Sequence, residues 1–167
     1  MSAMAPLAER KALADRVRIF RTAVAEAVTR EFYNRHPDWV QRFGEIGRTL
    51  ARAFARSGIN VSVATTRDPK TFAADAAAIG PEVTATTLAE AAKADAIFLA
   101  VRFQSHPDVA KALPSWQGKI IVDVTNAYGV PDEDLAGQPS ARVVARAFRG
   151  ARVVKGFNHL VARVIDE

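Results

Sequence analysis

The sequence predicts an α/β fold built on a parallel sheet with helices on both faces. Two apolar runs carry this prediction, Asp95 to Val101 and Lys119 to Val124, because strands buried on both faces of such a sheet are almost continuously apolar. Segments with helical spacing alternate with these runs, as in sheets joined by right-handed crossovers. With 167 residues, of which 49% are hydrophobic, the chain can bury the core of one main domain.

The first part of the chain is expected to be helical. Apolar residues recur at three- and four-residue steps from Leu7 to Arg35, which predicts one or two amphipathic helices that end before Pro37. We therefore predict a helical N-terminal segment over residues 1–37 and a second domain, which contains the strands, over residues 38–167.

Two glycines predict a phosphate-binding turn at the start of the second domain. Gly44 and Gly47 take the second and third places of the dinucleotide-binding G-x-G-x-x-G pattern, while Arg42 stands at the first. The second glycine lets the backbone approach a pyrophosphate, and the third lets the helix pack closely on the strand. The following helix, from about Gly47 to Ser57, would direct its N-terminal N–H groups at the phosphates. The predicted fold is thus a Rossmann-like doubly wound parallel sheet preceded by a helical segment.

The residues before these glycines allow two interpretations. A first strand is expected over Asp38–Phe43, although a central parallel strand should carry fewer polar residues than this segment does. Alternatively, Asp38 caps a single helix that runs through both glycines, because Trp39 and Ile46 share a helical face, and then no phosphate turn forms. Each glycine inside a helix would cost about 1 kcal/mol relative to alanine, which favours the strand and turn.

The next strand indicates which cofactor is bound. The run Ile59–Thr65 ends in Thr66 and Arg67 rather than in an acidic residue. An acid there would bind the ribose 2′-hydroxyl of NAD, whereas hydroxyls and an arginine suit the 2′-phosphate of NADP. NADP is therefore the expected cofactor, and Thr65, Thr66 and Arg67 are candidate ligands.

The remaining elements alternate along the chain. Thr87 and Glu90 form a capping-box pattern at the start of a short helix. The other expected elements are helices Pro69–Ile79, Pro107–Leu113 and Ser140–Phe148, strands Glu82–Ala85 and Arg152–Phe157, and a loop Val130–Pro139.

Polar side chains follow the strands at their carboxyl ends, where parallel α/β sheets bind ligands. Asn126 and Asn158 are expected to contact the ligand, because amides hydrogen-bond a carboxamide without adding charge. Asp123 is expected to cap the loop that leads to Asn126. The whole set at the strand ends is Thr65, Thr66, Arg67, Arg102, Gln104, His106, Thr125, Asn126, Asn158 and His159.

Other reactive or aromatic side chains are given structural roles. His106 and His159 have no orienting partner that the sequence identifies, so we expect both to be structural or solvated and assign no catalytic residue. Trp116 and Tyr128 are expected to pack in the protein rather than stack on a ligand. No spacing of His, Asp or Glu is typical of a metal site, so no metal is predicted.

The composition argues against several classes of protein. The chain has no cysteine, which excludes disulfides and thiolate metal sites and favours the reducing cytoplasm. No apolar run has membrane-spanning length. The net charge of +5 comes from scattered residues and forms no basic stripe interleaved with aromatics. We therefore expect a soluble cytoplasmic protein whose partners are small molecules, with neither nucleic acid nor membrane among them.

From Gly44 to Leu160 the motifs resemble the NADP-dependent oxidoreductases related to deazaflavin-coenzyme-dependent NADP reductase, within the group that includes pyrroline-carboxylate reductase. The matching residues are Thr66-Arg67 with Pro69, Ala100-Val101, Asp123-x-Thr125-Asn126 and Val154-Lys155-x-Phe157-Asn158. The resemblance implies that Gly44, Ile46 and Gly47 face the pyrophosphate. It also implies that Thr66 and Arg67 face the 2′-phosphate, Val101 the cofactor, and Asn126 and Asn158 the nicotinamide.

Two functions follow from these patterns. The first is an oxidoreductase that moves hydride between NADPH and a second, small-molecule redox partner such as a deazaflavin or flavin. The alternative is a non-catalytic nucleotide-binding or protein-interaction module, since residues 1–42 do not resemble the family and Arg42 weakens the glycine pattern. In that case the amphipathic N-terminal segment would pair with a second copy, as a homodimer, or with another protein. The family also usually continues beyond the last predicted strand.

Overall fold

The structure is a computed structural model, and it describes residues 22–26 and 44–159. These residues form a six-stranded sheet in the order β3-β2-β1-β4-β5-β6, in which every neighbouring pair is parallel. The chain moves outward from β1 to β3 on one side and from β4 to β6 on the other, which is the doubly wound order of dinucleotide-binding folds. The predicted fold class is confirmed. The strands are β1 (Thr22–Glu26), β2 (Val61–Thr65), β3 (Val83–Thr86), β4 (Ala96–Leu99), β5 (Ile120–Asp123) and β6 (Arg152–Lys155).

Helices lie on both faces of the sheet and bury a core on each. On one face, Leu50, Phe72 and Val63 belong to the same buried cluster. On the other face, Ile97 and Leu99 join Trp116 and Phe148, whose rings meet edge to face with centroids 4.8 Å apart. The α-helices are α1 (Glu45–Arg56), α2 (Ala73–Ala77), α3 (Leu88–Ala91), α4 (His106–Ala110), α5 (Asp132–Leu135) and α6 (Ser140–Ala147), and Pro69–Thr71 and Phe103–Ser105 form 3-10 turns.

The N-terminal prediction needs a correction at β1. The sequence predicts helix through Thr22–Glu26, but these residues form the strand that pairs with both β2 and β4. Two of its five residues are alanine, the strongest helix former, and the helical spacing of apolar residues pointed the same way, so local preference favoured the wrong element. Pairing with two neighbouring strands overrides that preference. Elsewhere in residues 1–37, the predicted helical segment lies outside the described residues.

Both interpretations of residues 38–47 also need a correction. Because β1 occupies the centre of the sheet, the prediction of the central strand at Asp38–Phe43 is wrong, and those six residues lie outside the described ones. The single helix through both glycines is wrong too. Gly44 is the N-cap of α1 with ψ 155°, an extended conformation, so the helix begins at Glu45.

Later elements agree with the sequence apart from their ends. The expected helix Pro69–Ile79 is divided into the 3-10 turn and α2, and α5 lies within the expected loop Val130–Pro139. Thr87 caps α3 as predicted, since its Oγ1 accepts a hydrogen bond from the N–H of Glu90 at 3.2 Å. No helix in the described ranges is long and apolar enough to cross a membrane.

The strand register brings the carboxyl ends of the strands to one edge. Glu26 of β1 lies beside Thr65 of β2, and Leu99 of β4 lies beside Asp123 of β5, which in turn lies beside Lys155 of β6. The segments that follow these strands therefore emerge side by side, which is where this fold binds its ligands.

Candidate functional site

The predicted phosphate turn lies at the N-terminus of α1. Gly44 accepts the first helical hydrogen bond, from the N–H of Arg48 at 2.9 Å. Gly47 is buried in the first turn, and Ile46 packs partly against the core. The helix runs for 12 residues and contacts β1 and β2, and helices that connect parallel strands in this fold start at the edge where the strands end. This geometry is that of a helix that could bind a pyrophosphate, and the roles of Gly44, Ile46 and Gly47 stay predictions.

The end of β2 holds Arg67 in a defined position. Thr65 is buried, and its Oγ1 accepts a hydrogen bond from the backbone N–H of Arg67 at 3.0 Å. The guanidinium carbon of Arg67 lies 5.7 Å from the ring centroid of the buried Phe72, a cation–π contact. Thr66, between Thr65 and Arg67 in the sequence, is exposed. The guanidinium of Arg67 is thus held in place near the surface, with the Thr66 hydroxyl next to it in the sequence.

A cavity of about 620 Å³ opens beside this segment, and we call it the β2 cavity. Its volume lies within the range of small-molecule sites. Two cations and two carboxylates line it: Arg67, Lys111, Asp68 and Asp108. The Asp68 carboxylate accepts a hydrogen bond from the N–H of Lys70 at 2.9 Å and so caps the 3-10 turn. The lining is Thr65, Thr66, Arg67, Asp68, Pro69, Thr87, Leu88, Ala89, Asp108, Lys111 and Ala112.

A second polar group, which we call the β5–β6 network, joins the ends of those two strands. Its centre is Asp123, which is 0% exposed. One carboxylate oxygen accepts a hydrogen bond from the N–H of Thr125 at 2.9 Å, and the other pairs with the Lys155 ammonium at 3.0 Å. Lys155 also donates to the backbone carbonyl of Thr125. The prediction that Asp123 caps the loop is confirmed. The network consists of Asp123, Thr125, Asn126, Lys155 and Asn158.

The two asparagines of the β5–β6 network bind each other. Asn126 Nδ2 donates to the backbone oxygen of Asn158 at 2.6 Å, and Asn158 Nδ2 donates to Asn126 Oδ1 at 3.2 Å. Phe157, just before, has φ +60°, which is costly for a side chain other than glycine. Because an amide has two donor hydrogens and an oxygen with two lone pairs, each asparagine keeps bonding capacity for a further group. The pair is oriented before any ligand arrives.

The other candidates of the strand-end set separate into buried and exposed residues. His106 is buried, and its Nδ1 lies 2.5 Å from the Phe103 carbonyl, so it has the expected structural role. Val101 is also buried in the core, so a contact with the cofactor would have to be made by its backbone or by the small exposed part of its side chain. The exposed members are Arg102, Gln104 and His159.

The two predictions for aromatic residues had opposite outcomes. Trp116 packs as expected, and its Nε1 donates to the Ala110 carbonyl at 2.9 Å. Tyr128 is 90% exposed, so the prediction that it packs in the protein is wrong.

Sequence reasoning missed two charged contributors, Lys111 to the cavity and Lys155 to the network. Lys155 was visible only as part of a motif. Lys111 follows Asp108 by three residues, as Lys93 follows Glu90, so this spacing alone does not distinguish the cavity pair from another surface pair. Among the described residues, no group of His, Cys, Asp or Glu could hold a metal ion.

Comparison with family models identifies the chain. Residues 43–127 match the model for coenzyme F420-dependent NADP oxidoreductases, which is half of the sequence and includes both α1 and the end of β5. The chain belongs to this family. The resemblance inferred from the motifs is thereby confirmed. No curated protein matches the sequence.

Solved structures agree with this assignment. A hypothetical protein from Sinorhizobium meliloti is 31% identical, with a TM-score of 0.71 over 88% of this chain. A protein from Arthrobacter sp. FB24 described as an F420-dependent NADP reductase is 26% identical, with a TM-score of 0.62 over 87% of this chain. The chain spans 66% and 65% of those two proteins.

A more distant relative shares the fold alone. A reductive aminase from Aspergillus terreus, solved in complex with NADPH and ethyl levulinate, is 18% identical. Its TM-score is 0.59, over 87% of this chain and 43% of its own. The doubly wound sheet is therefore common to enzymes with different substrates.

Proposed function

We propose that this chain binds NADP(H) and takes part in hydride transfer between NADPH and a second redox partner of the deazaflavin or flavin class. The observation that carries the proposal is Arg67 in the wall of the β2 cavity. Its guanidinium is held over Phe72 at the end of a strand that ends in hydroxyls rather than in an acid. A dinucleotide without the 2′-phosphate would gain nothing from that charge.

The side chains of the β2 cavity fit a phosphate. A guanidinium donates parallel hydrogen bonds to two phosphate oxygens, and the Thr66 hydroxyl can donate another. Asp68 lies in the same wall, but its carboxylate accepts the Lys70 N–H in the 3-10 turn. Membership of an NADP-dependent family supports the same choice of cofactor.

At the other end, the β5–β6 network suits the carboxamide of a nicotinamide. Asn126 and Asn158 are held by each other, so they can orient a ring without first losing side-chain freedom. Nicotinamide supplies the hydride chemistry when bound. The residues of this chain set its distance and angle to the acceptor, and no side chain needs to move a proton for that step.

Titration of the purified chain with NADPH and with NADH tests the proposal. We expect tighter binding of NADPH, and we expect Arg67→Ala to weaken NADPH binding about 10- to 100-fold while leaving NADH little changed, as for loss of a hydrogen bond between charged groups. Arg146→Ala is the matched control, because Arg146 is exposed on α6 and lies outside the cavity lining. Equal affinities for the two cofactors, or an Arg67→Ala variant that still prefers NADPH, would contradict the assignment.

A further inference from the structure

A second element besides the end of β2 contributes charge to the β2 cavity. Helix α4 and the residues after it supply Asp108, Lys111 and Ala112 to the lining. The ammonium of Lys111 lies 2.9 Å from the Asp108 carboxylate, and both side chains are well exposed, at 76% and 53%. No motif that defines the NADP assignment includes either residue.

An ion pair of this kind is easily exchanged. Exposed pairs at i and i+3 on a helix contribute little to stability, because water screens the charges and both side chains lose freedom. Lys111 is the C-cap residue of α4, and its backbone N–H makes a cap hydrogen bond. A movement of its side chain therefore leaves the hydrogen bonds of the helix intact. Lysine carries its charge on a flexible four-carbon stem with three donors, so it can turn to a new anion without a change in the backbone.

We propose that Lys111 is a specificity-determining residue: when the cofactor binds, its ammonium separates from the Asp108 carboxylate and pairs with the 2′-phosphate. A phosphate monoester carries about −1.5 to −2 charges at neutral pH, more than the single charge of the carboxylate it replaces. Asp108 then acts as a competitor that holds Lys111 near the cavity and weakens binding of the anion. This inference rests on the proposed function, because it concerns the same phosphate that Arg67 would bind.

The chain contains a matched control for this idea. Lys93 and Glu90 form another exposed pair at i and i+3, with 2.6 Å between charged atoms, at the end of α3. Neither residue lines the β2 cavity, although their helix contributes Leu88 and Ala89 to it. A nonspecific effect of removing an exposed lysine or its acidic partner would act through both pairs, whereas direct contact with phosphate would act through Lys111 alone.

The experiment measures NADPH and NADH affinities for Lys111→Met, Asp108→Asn, Lys93→Met and Glu90→Gln in the full chain. We expect Lys111→Met to weaken NADPH binding about fivefold with NADH unchanged, the scale of one exposed ion pair. Asp108→Asn should tighten NADPH binding about two- to threefold, because the competing charge is removed. The two control variants should match the wild type for both cofactors. Thermal unfolding confirms that each variant is folded.

The outcomes separate this inference from the function on which it rests. A wild-type chain that binds both cofactors equally would overturn the proposed function. A wild-type preference for NADPH that Lys111→Met leaves intact would overturn only the role of Lys111. That role also fails if Lys111→Met weakens both cofactors by the same factor, if Lys93→Met has the same effect, or if Asp108→Asn binds NADPH no more tightly.

Discussion

The β2 cavity and the β5–β6 network lie at the same edge of the sheet, but their charged groups have opposite surroundings. In the cavity, Lys111 and Asp108 are exposed and joined by one ion pair. In the network, Asp123 is fully buried and both of its oxygens have partners within the protein. The Lys111–Asp108 pair can therefore be exchanged for a contact with a ligand at little cost in stability. The charge of Asp123, by contrast, stabilises the fold through its partners within the protein.

Under the proposed function, this difference predicts that the two regions act on different parts of the dinucleotide. Attraction of an anion depends on charges that a ligand can reach, and the β2 cavity has them. Orientation of a neutral ring depends on donors and acceptors that are fixed before binding, as the paired asparagines are. Substitution of a charged residue should accordingly change mainly ligand affinity in the β2 cavity and mainly stability in the β5–β6 network, whereas substitution of the paired asparagines should change affinity.

The largest expected effect is on stability, at Lys155. We expect Lys155→Met to lower the free energy of unfolding by about 3 kcal/mol, because it leaves the Asp123 carboxylate buried without its counter-ion. Lys111→Met, which breaks an exposed pair, should cost less than about 1 kcal/mol. Urea unfolding of both variants measures the contrast. Equal losses of unfolding free energy in the two variants would contradict the distinction between a charge that stabilises the fold and a charge that is available to a ligand.

A smaller effect on binding is expected at Asn126. Asn126→Ala removes both hydrogen bonds that orient Asn158, so binding of NADPH should weaken about fivefold, the scale of one neutral hydrogen bond. Adenosine 2′,5′-bisphosphate, which lacks the nicotinamide half, should bind to the Asn126→Ala variant as tightly as it binds to the wild type. Arg67→Ala should show the reverse pattern, with weak binding of both ligands. If Asn126→Ala weakens the bisphosphate as well, the network does not act on the nicotinamide half alone.

The sequence predicted the parts of this edge that depend on local chemistry. A strand that ends just before Thr66 and Arg67, the cap at Thr87 and the loop cap at Asp123 are each specified by a few neighbouring residues, and the structure confirms all three positions. The neighbourhood of Asn126 and Asn158 also followed, because strand ends of a parallel sheet meet at one edge.

Features that depend on distant residues could not be predicted in this way. Strand β1 contains good helix formers, and its conformation is decided by β2 and β4, which pair with it from far along the chain. Lys111 is indistinguishable in sequence from other surface lysines such as Lys93, since only the fold brings α4 beside the end of β2. Exposure of Tyr128 likewise follows from the loop around it rather than from its own hydrophobicity.

The smallest expected effect concerns the backbone that positions Asn158. Phe157 is 36% exposed, its ring centroid lies 6.0 Å from that of Phe98, and its φ of +60° is unfavourable for any residue with a Cβ. Phe157→Ala and Phe157→Gly both remove the ring contact, but only glycine relieves the backbone strain. We therefore expect the glycine variant to be more stable than the alanine variant by about 1 kcal/mol in urea unfolding.

Ala136 provides the matched control for this comparison. It also has positive φ, at +50°, but it is exposed in a loop that belongs to neither region, so Ala136→Gly should stabilise the chain by about 1 kcal/mol without any change in NADPH binding. At Phe157, by contrast, relief of strain should come with weaker binding of NADPH, because a glycine before Asn158 lets the paired amide move. If Phe157→Gly gains stability over Phe157→Ala and binds NADPH equally well, the strained turn is incidental. Loss of affinity in the glycine variant alone would mean that the β5–β6 network tolerates strain in order to keep Asn158 in place.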